Sequence, residues 1–451
     1  MASSAVPSHA HPLAPSSPAE TTPLLSWDDA AELEAGAGAG GSNPSLASPT
    51  TRRSRITSGC STTRNRVSSA WHTLPPRLRK TIVALAIIFT SLFGLFALLA
   101  TPWHEKRPPV WDGKSPLPSL PTAEGGGARI LAYNFYLRPP PIQYAVSADY
   151  KNERLALFSA TAIDMFDIMA MSETFGTLNS RRARLVDAAA ARGMPYWAHG
   201  PERNWWRGKF VDSGLLVMSR YPIIKTDTIE YVVGDGPDAW AAKGILYAQI
   251  AVADTRTGET SRVHLFLSHL QATYIKNEDG DDLYSDAATI RLQQFNLFRS
   301  YIARTLDSNG YNSTLDAVLM AGDFNVPGAP FGWEPETDSG EYLRMIKTLR
   351  QDNGTVVDVL REAQGQQTPT WHPWASAIGD EGDDREVPGK RLDYILQWHK
   401  DTPENPKLKR TKLRLSVNET GLEPFKTEGQ AFKQLSDHTG VTTVLRMHED
   451  I

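Results

Sequence analysis

The chain has almost no cysteine. One residue, Cys60, stands among 451, which excludes a disulfide within the chain and any zinc site built on cysteine sulfur. An excess of positive charge is also missing. The 47 Lys and Arg meet 51 Asp and Glu, for a formal net charge of −4, so a histone-like or polybasic protein is excluded. Residues 1–60 are mostly Ser, Ala, Pro, Gly and Thr. Such a segment buries too little apolar surface to offset the entropy of ordering, and residues 1–80 are read as a disordered tail.

The chain then enters a single long apolar run. Thr81–Ala100 is 20 residues without a charge, about 30 Å as a helix, the thickness of a bilayer core. Residues 81–101 are therefore read as a transmembrane helix. Its distance from residue 1 argues against a cleaved signal peptide. Its apolarity all round argues against a core helix. Arg64, Arg66, Arg77, Arg79 and Lys80 precede it, against Lys106, Arg107 and Lys114 soon after. The positive-inside rule then puts the tail in the cytosol and the rest in the lumen or outside, as a single-pass type II protein.

Within the tail, Glu20-Thr-Thr-Pro-Leu24-Leu25 resembles an acidic dileucine signal. Sorting adaptors read such signals in the cytosol, which favours an endolysosome or vacuole over the plasma membrane. Asn312, Asn353 and Asn418 each begin an Asn-x-Ser/Thr sequon, all beyond the span, and are expected to be glycosylated. Cys60 falls on the cytosolic side, so the lumenal part has no thiol. The tail carries eight basic and five acidic residues, net +3, which leaves −7 for the remainder.

Residues 102–127 are rich in Pro and Gly and read as a linker. From residue 128 to 448 apolar strand-like runs alternate with helical patterns. The runs are Arg129–Tyr133, Phe166–Met171, Gly214–Ser219, Ile245–Val252, Arg262–Leu267, Ala317–Ala321, Leu392–Gln397 and Val441–Arg446. Between two of them, Leu292, Phe295, Phe298, Ile302 and Leu306 make an apolar stripe on a helix over 286–306. This pattern predicts a layered α/β sandwich.

The runs end on polar residues: Asn134, Ser172-Glu173, Ser268-His269, and Asp323-Phe-Asn325. Arg391-Leu-Asp393-Tyr394 and Ser436-Asp437-His438 stand beside them. Glu, Asp and Asn oxygens suit Mg²⁺, with Mn²⁺ as the alternative. A His paired with an Asp is a general base for water. Together these are the equipment of phosphoester hydrolysis.

GDFN at Gly322–Asn325, SDH at Ser436–His438, LDYIL at Leu392–Leu396 and Glu173 at a strand end resemble the endonuclease/exonuclease/phosphatase superfamily. NFYLRP at Asn134–Pro139, DSGLLVMSRYPI at Asp212–Ile223, AKG at Ala242–Gly244 and SHLQA at Ser268–Ala272 resemble its neutral sphingomyelinase branch. The resemblance implies a four-layered α/β sandwich. It implies that Glu173 binds the principal Mg²⁺ with Asn134 close by, and that Asp323 and Asn325 orient water and phosphate. It makes His438 the general base, held by Asp393, with Asp437 assisting. His269 would stabilise charge on the phosphate, and Lys243 would approach it from a mobile loop. Two departures are Ser172 before Glu173, where relatives carry Gln or Asn, and Gln271, where some carry a second His.

The expected activity is that of a membrane-anchored phospholipase C cleaving a phospholipid, specifically a phosphosphingolipid, to ceramide and a phosphorylated headgroup. A lumenal nuclease keeps the same machinery, but the net −7 disfavours nucleic acid. An inert scaffold predicts loss of Glu173, Asp323, Asn325 or His438, and all are present. His199, His372 and His399 read as surface or hydrogen-bonded residues. Acidic stretches at Asp254–Glu259, Asp279–Asp282 and Asp380–Asp384 read as solvated loops. Trp205-Trp206 reads either as core or as a loop that enters a bilayer interface, where Trp is favoured.

Overall fold

The computed structural model describes residues 73–100, 107–121, 127–140, 142, 149–253, 260–274, 285–330, 334–350, 354–373, 378, 388–400 and 411–449. The sorting residues Glu20, Leu24 and Leu25, the sequon Asn353 and the three acidic loops lie outside them. In chain order the elements begin with helix α1 (Pro76–Ala100), strand β1 (Ala128–Asn134), α2 (Lys151–Thr161), β2 (Ile168–Ser172) and α3 (Arg181–Ala191). Then come β3 (Tyr196–His199), β4 (Leu216–Ser219), β5 (Ile223–Glu230), β6 (Gly244–Ala253), β7 (Thr260–Ser268) and α4 (Asp286–Ser308). The chain continues through β8 (Ala317–Asp323), α5 (Gly340–Arg350), β9 (Gly354–Asp358) and α6 (Val359–Gln364). It ends with β10 (Asp393–Lys400), β11 (Thr411–Glu423) and β12 (Gly440–Glu449).

Helix α1 has Pro at its first position, where the missing N–H removes no internal bond. Within it, Pro76–Phe96 is the one stretch among the described residues that is long and apolar enough to cross a membrane, and none of it is buried.

The strands form two six-stranded sheets, β11-β12-β1-β2-β4-β3 and β5-β6-β7-β8-β10-β9. Side chains alternate across each strand. In β1, Ile130 and Ala132 join Ile168, Ala170 and Val217 against Leu246, Leu265, Leu319 and Ile395 of the other sheet. Leu131 and Tyr133 face the other way, onto Phe158 of α2 and Leu185 of α3. On the second sheet Tyr247, Phe266, Met320 and Tyr394 pack on Phe295, Phe298 and Ile302 of α4 and Met345 of α5. The order helix, sheet, sheet, helix is the four-layered sandwich that was expected. Both faces of each sheet are covered, and inner strands such as β2, β4 and β8 are buried along their whole length.

The residues read as linker are partly built into this body. Ser119 bridges Ala253, and Leu120 is buried in the core between the sheets.

Candidate active site

Each sheet ends on a pair of polar residues. In the first, parallel β1 and β2 place Asn134 beside Ser172, and Glu173 comes next. In the second, antiparallel β8 and β10 place Asp323 opposite Asp393. Asn134 joins the two: its Nδ2 donates to Glu173 Oε1 and to Asp323 Oδ2, each at 3.0 Å, and its Oδ1 accepts from Tyr136 N at 3.1 Å.

The backbone is bent to present these groups. Tyr136, Glu173 and Asn325 have φ of 52°, 53° and 53°. That left-handed region is costly for side chains other than glycine and collects at functional sites. Gly322 of the GDFN motif has φ 130°, and a Cβ there would run into the Ser268 carbonyl oxygen. Asp323 Oδ1 accepts from Asn325 N at 2.9 Å, and Asn325 Nδ2 donates to Leu270 O at 3.1 Å.

His438 completes the site. Its Nδ1 is 2.7 Å from Asp393 Oδ2, and its Nε2 is 3.9 Å from Asp323 Oδ2. Ser436 Oγ donates to Asn134 O at 2.7 Å and accepts from His438 N at 3.1 Å, which ties the SDH segment to the end of β1. Burial alone would lower the His438 pKa. The Asp393 charge and hydrogen bond, with Asp437 and Asp323, instead raise it to about 10. Burial and the charge of Asp393 push Asp323 up, against the pull of His438, Asn134 and Lys243. Asp437 is also pushed up by burial. His269 moves the other way. Burial, then the charges of Lys243 and His438, hold it well below its ordinary value, so it is neutral. Its Nε2 is 3.5 Å from Asp323 Oδ2, and its buried Nδ1 has no hydrogen-bond partner.

Lys243 differs from expectation. It is buried just before β6, with Nζ 2.7 Å from Leu270 O and 2.8 Å from Asp238 Oδ2. A buried ammonium needs such partners to offset its lost hydration, and they fix it in place. Gln271, where a second His was possible, is structural: its side chain bonds Asp235 N and O and Ala272 O.

The donor groups suit a cation. Glu173 Oε2 is buried and meets no hydrogen-bond partner among the described residues, beside an Asn134 whose Oδ1 could turn to a cation in place of Tyr136 N. That donor set fits a hard divalent ion. Asp323, Asp393 and His438 also bring one ligand atom each within 4.8 Å of one another. His438 Nδ1, however, is already engaged by Asp393, so this trio reads as a histidine oriented by a carboxylate for acid–base work.

Several residues join the site without a role that the sequence implies. Thr370 Oγ1 donates to Asp393 Oδ2 at 2.6 Å. Trp371 Nε1 reaches Asp437 Oδ2 at 3.3 Å. Fully buried Arg154 donates to the carbonyls of Phe135, Tyr136, Asp149 and Leu435. Arg138 lies over the Tyr136 ring at 4.2 Å. None sits at the end of an apolar run, the signal that exposed the others. Asn312 and Asn418 are exposed. Trp206 is 99% exposed, so it is not core.

The endonuclease/exonuclease/phosphatase family model matches residues 143–438. A sphingomyelinase of Dictyostelium discoideum is 29% identical over 353 residues, covering 64% of this chain and 74% of that protein. Sphingomyelinase C of Bacillus cereus is 29% identical over 299 residues, covering 64% of this chain and 80% of that protein. Among solved structures, beta toxin from Staphylococcus aureus with bound magnesium ions aligns with a TM-score of 0.48 and 19% identity, over 70% of this chain and 99% of that one. The matched span holds every site residue but Asn134, and the chain belongs to the endonuclease/exonuclease/phosphatase family as a metal-dependent phosphodiesterase hydrolase.

Proposed function

We propose that this phosphodiesterase is a membrane-anchored phospholipase C that cleaves a phosphosphingolipid to ceramide and a phosphorylated headgroup. The observation that carries the lipid reading is an apolar surface beside the site. The β5–β6 connection that ends on Lys243 also bears Val232, 83% exposed, and Trp240, 63% exposed. The 205–210 segment joins it through Phe210 N to Trp240 O at 2.8 Å and adds exposed Trp205, Trp206 and Phe210. Large apolar side chains gathered this way mark an interaction surface, and Trp is favoured at a bilayer interface. The two sphingomyelinase relatives support the same substrate class.

Glu173 and Asn134 are the residues that would hold Mg²⁺ or Mn²⁺. An ion held by them would supply positive charge for the phosphoryl oxygens and against the carboxylate field on His438. His438, oriented by Asp393, takes the proton of the attacking water. Asn325 and Asp323 orient the water and the phosphate. Neutral His269 and the Lys243 cation stabilise charge on the phosphate oxygens. The anchor adds effective concentration at the surface. The type II topology, an endolysosomal or vacuolar location through adaptors, and glycans on Asn312, Asn353 and Asn418 belong to the same reading. They are supported by the basic residues before the span and by the exposure of Asn312 and Asn418.

The test is hydrolysis by the full chain in detergent with Mg²⁺. Mixed micelles of sphingomyelin or inositol phosphorylceramide are the substrates, plasmid DNA the competitor and His438→Ala the control. Ceramide release that disappears in the variant is expected. DNA cleavage without ceramide overturns the lipid reading in favour of a nuclease.

A further inference from the structure

The proposed chemistry uses Lys243 and His269 on the Asp323 side of the site. It leaves a second group of cations unused. Arg138 lies two residues beyond Tyr136, with its guanidinium stacked on that ring at 4.2 Å. Its Nε and Nη2 are buried, yet no hydrogen-bond partner meets either among the described residues. Two buried donors of a permanent cation without acceptors are costly, and this pair lies close enough to the reaction centre for its charge to act on Asp437 and Tyr136.

Other cations sit behind it. Arg181 Nη2 donates to Arg138 O at 2.9 Å, and the charges of Arg181 and Arg138 both act on Lys151. Asp149, 2.8 Å from Lys151 Nζ, supplies a single negative charge. Behind Arg138, then, the two cations Arg181 and Lys151 meet the one carboxylate of Asp149. In the proposed chemistry the phosphate already has Lys243 and His269, and the β5–β6 connection that ends on Lys243 bears the exposed Trp240.

We infer that Arg138 reads the headgroup of the lipid, and that the headgroup it accepts carries hydroxyl or anionic oxygens rather than a quaternary ammonium. The inference rests on the phosphosphingolipid reading. A guanidinium is a planar fork of donors suited to paired oxygens. A trimethylammonium offers it nothing to accept and adds like-charge repulsion. Such a cation is held by aromatic faces, and a face of Tyr136 is occupied by Arg138 itself.

The experiment compares the full chain in detergent with Arg138→Ala and Arg138→Lys on inositol phosphorylceramide and on sphingomyelin. Thermal midpoints serve as the folding control. The wild type is expected to favour the inositol lipid in kcat/KM. Arg138→Ala should lower that preference about tenfold to a hundredfold, the range for losing a hydrogen bond to a charged group. Arg138→Lys should restore only part of it, since a point charge lacks the fork. Equal losses on both lipids would mean that Arg138 serves the shared phosphate or the fold, and would overturn the inference. So would a wild-type preference for sphingomyelin.

Calorimetry with inositol 1-phosphate and phosphocholine separates this inference from the lipid reading. If neither lipid is cleaved, the lipid reading fails by itself. Tighter binding of inositol 1-phosphate that depends on Arg138 still supports the headgroup assignment, and equal binding of the two overturns it.

Discussion

His438 Nδ1 and Asp393 Oδ2 are 2.7 Å apart across 45 residues of sequence, and the Thr370 hydroxyl holds the same oxygen at 2.6 Å. The carboxylate thereby fixes both the orientation of the ring and the nitrogen it leaves for water. Asp393→Asn keeps the shape and removes the charge, so kcat is expected to fall about 10²- to 10⁴-fold, the scale of a lost general base or its orienting partner. Thr370→Val removes one hydrogen bond and is expected to cost about tenfold. Steady-state kinetics decide the matter: an Asp393→Asn rate within threefold of wild type would sink this role for Asp393.

The proposed role of Glu173 as a metal ligand ties metal to stability. A cation that binds only the folded chain raises its stability by about 2.7 kcal/mol at a concentration one hundred times its Kd. Thermal melts of the wild type should rise with added Mg²⁺ and fall with chelator. Glu173→Gln should flatten that response. A variant that still responds as the wild type does would move the ion elsewhere.

Arg154 is a clamp rather than a participant. It is fully buried in α2 and satisfies four carbonyls, among them that of Leu435 just before Ser436-Asp437-His438. Arg154→Met leaves those acceptors without donors. The expected loss is about 3–5 kcal/mol, the range for breaking a buried charged network, read by urea denaturation. A loss under about 1 kcal/mol, as at an exposed site, would mean that the segment holds without it.

The aromatic surface makes a separable prediction. Trp206→Ala with Trp240→Ala should weaken binding to lipid vesicles by about tenfold or more, since each indole buries a large apolar area at an interface. Turnover of a water-soluble phosphodiester should hold, because neither ring touches the acid–base residues. A sedimentation assay and a chromogenic assay run side by side distinguish the two effects. Unchanged vesicle binding would remove the observation on which the lipid reading leans most.

Burial decides which strands are legible in the sequence. Each strand that the apolar runs reveal lies inside a sheet, and where both faces are covered, as for Ala317–Ala321 in β8, it reads as a continuous hydrophobic stretch. The strands without such a run are β3, β5, β9 and β11, and each is an edge. In β5 the sequence IIKTDTIE mixes exposed and half-buried positions. β11 is interrupted by an irregularity between Ser416 and Gly421. Neither has the unbroken pattern of a core strand.

The same logic governs the site. Asn134, Glu173, His269 and Asp323 are legible because an apolar run stops at each of them. Arg154 and Thr370 are not, because what gives them meaning is a partner far along the chain; Arg138 stands inside the NFYLRP motif, but its stacking on Tyr136 appears only in the fold. Lys243 is legible as a cation near phosphate, but not as one pinned by Asp238. That restraint appears only once the β5–β6 connection has folded back on itself.

The order of the first sheet has a consequence for biosynthesis. β12 lies between β11 and β1, so one side of β1 has no neighbour until β12 has been made. Asn134 and Ser436, which meet at that junction, are 302 residues apart. At about 5–20 residues per second, roughly 15–60 seconds of translation separate them. For that interval the ribosome carries a chain with an open strand edge and without His438. A chaperone that shields β1 therefore has a defined window in which to act, and a nascent chain released before residue 438 lacks the His438–Asp393 pair.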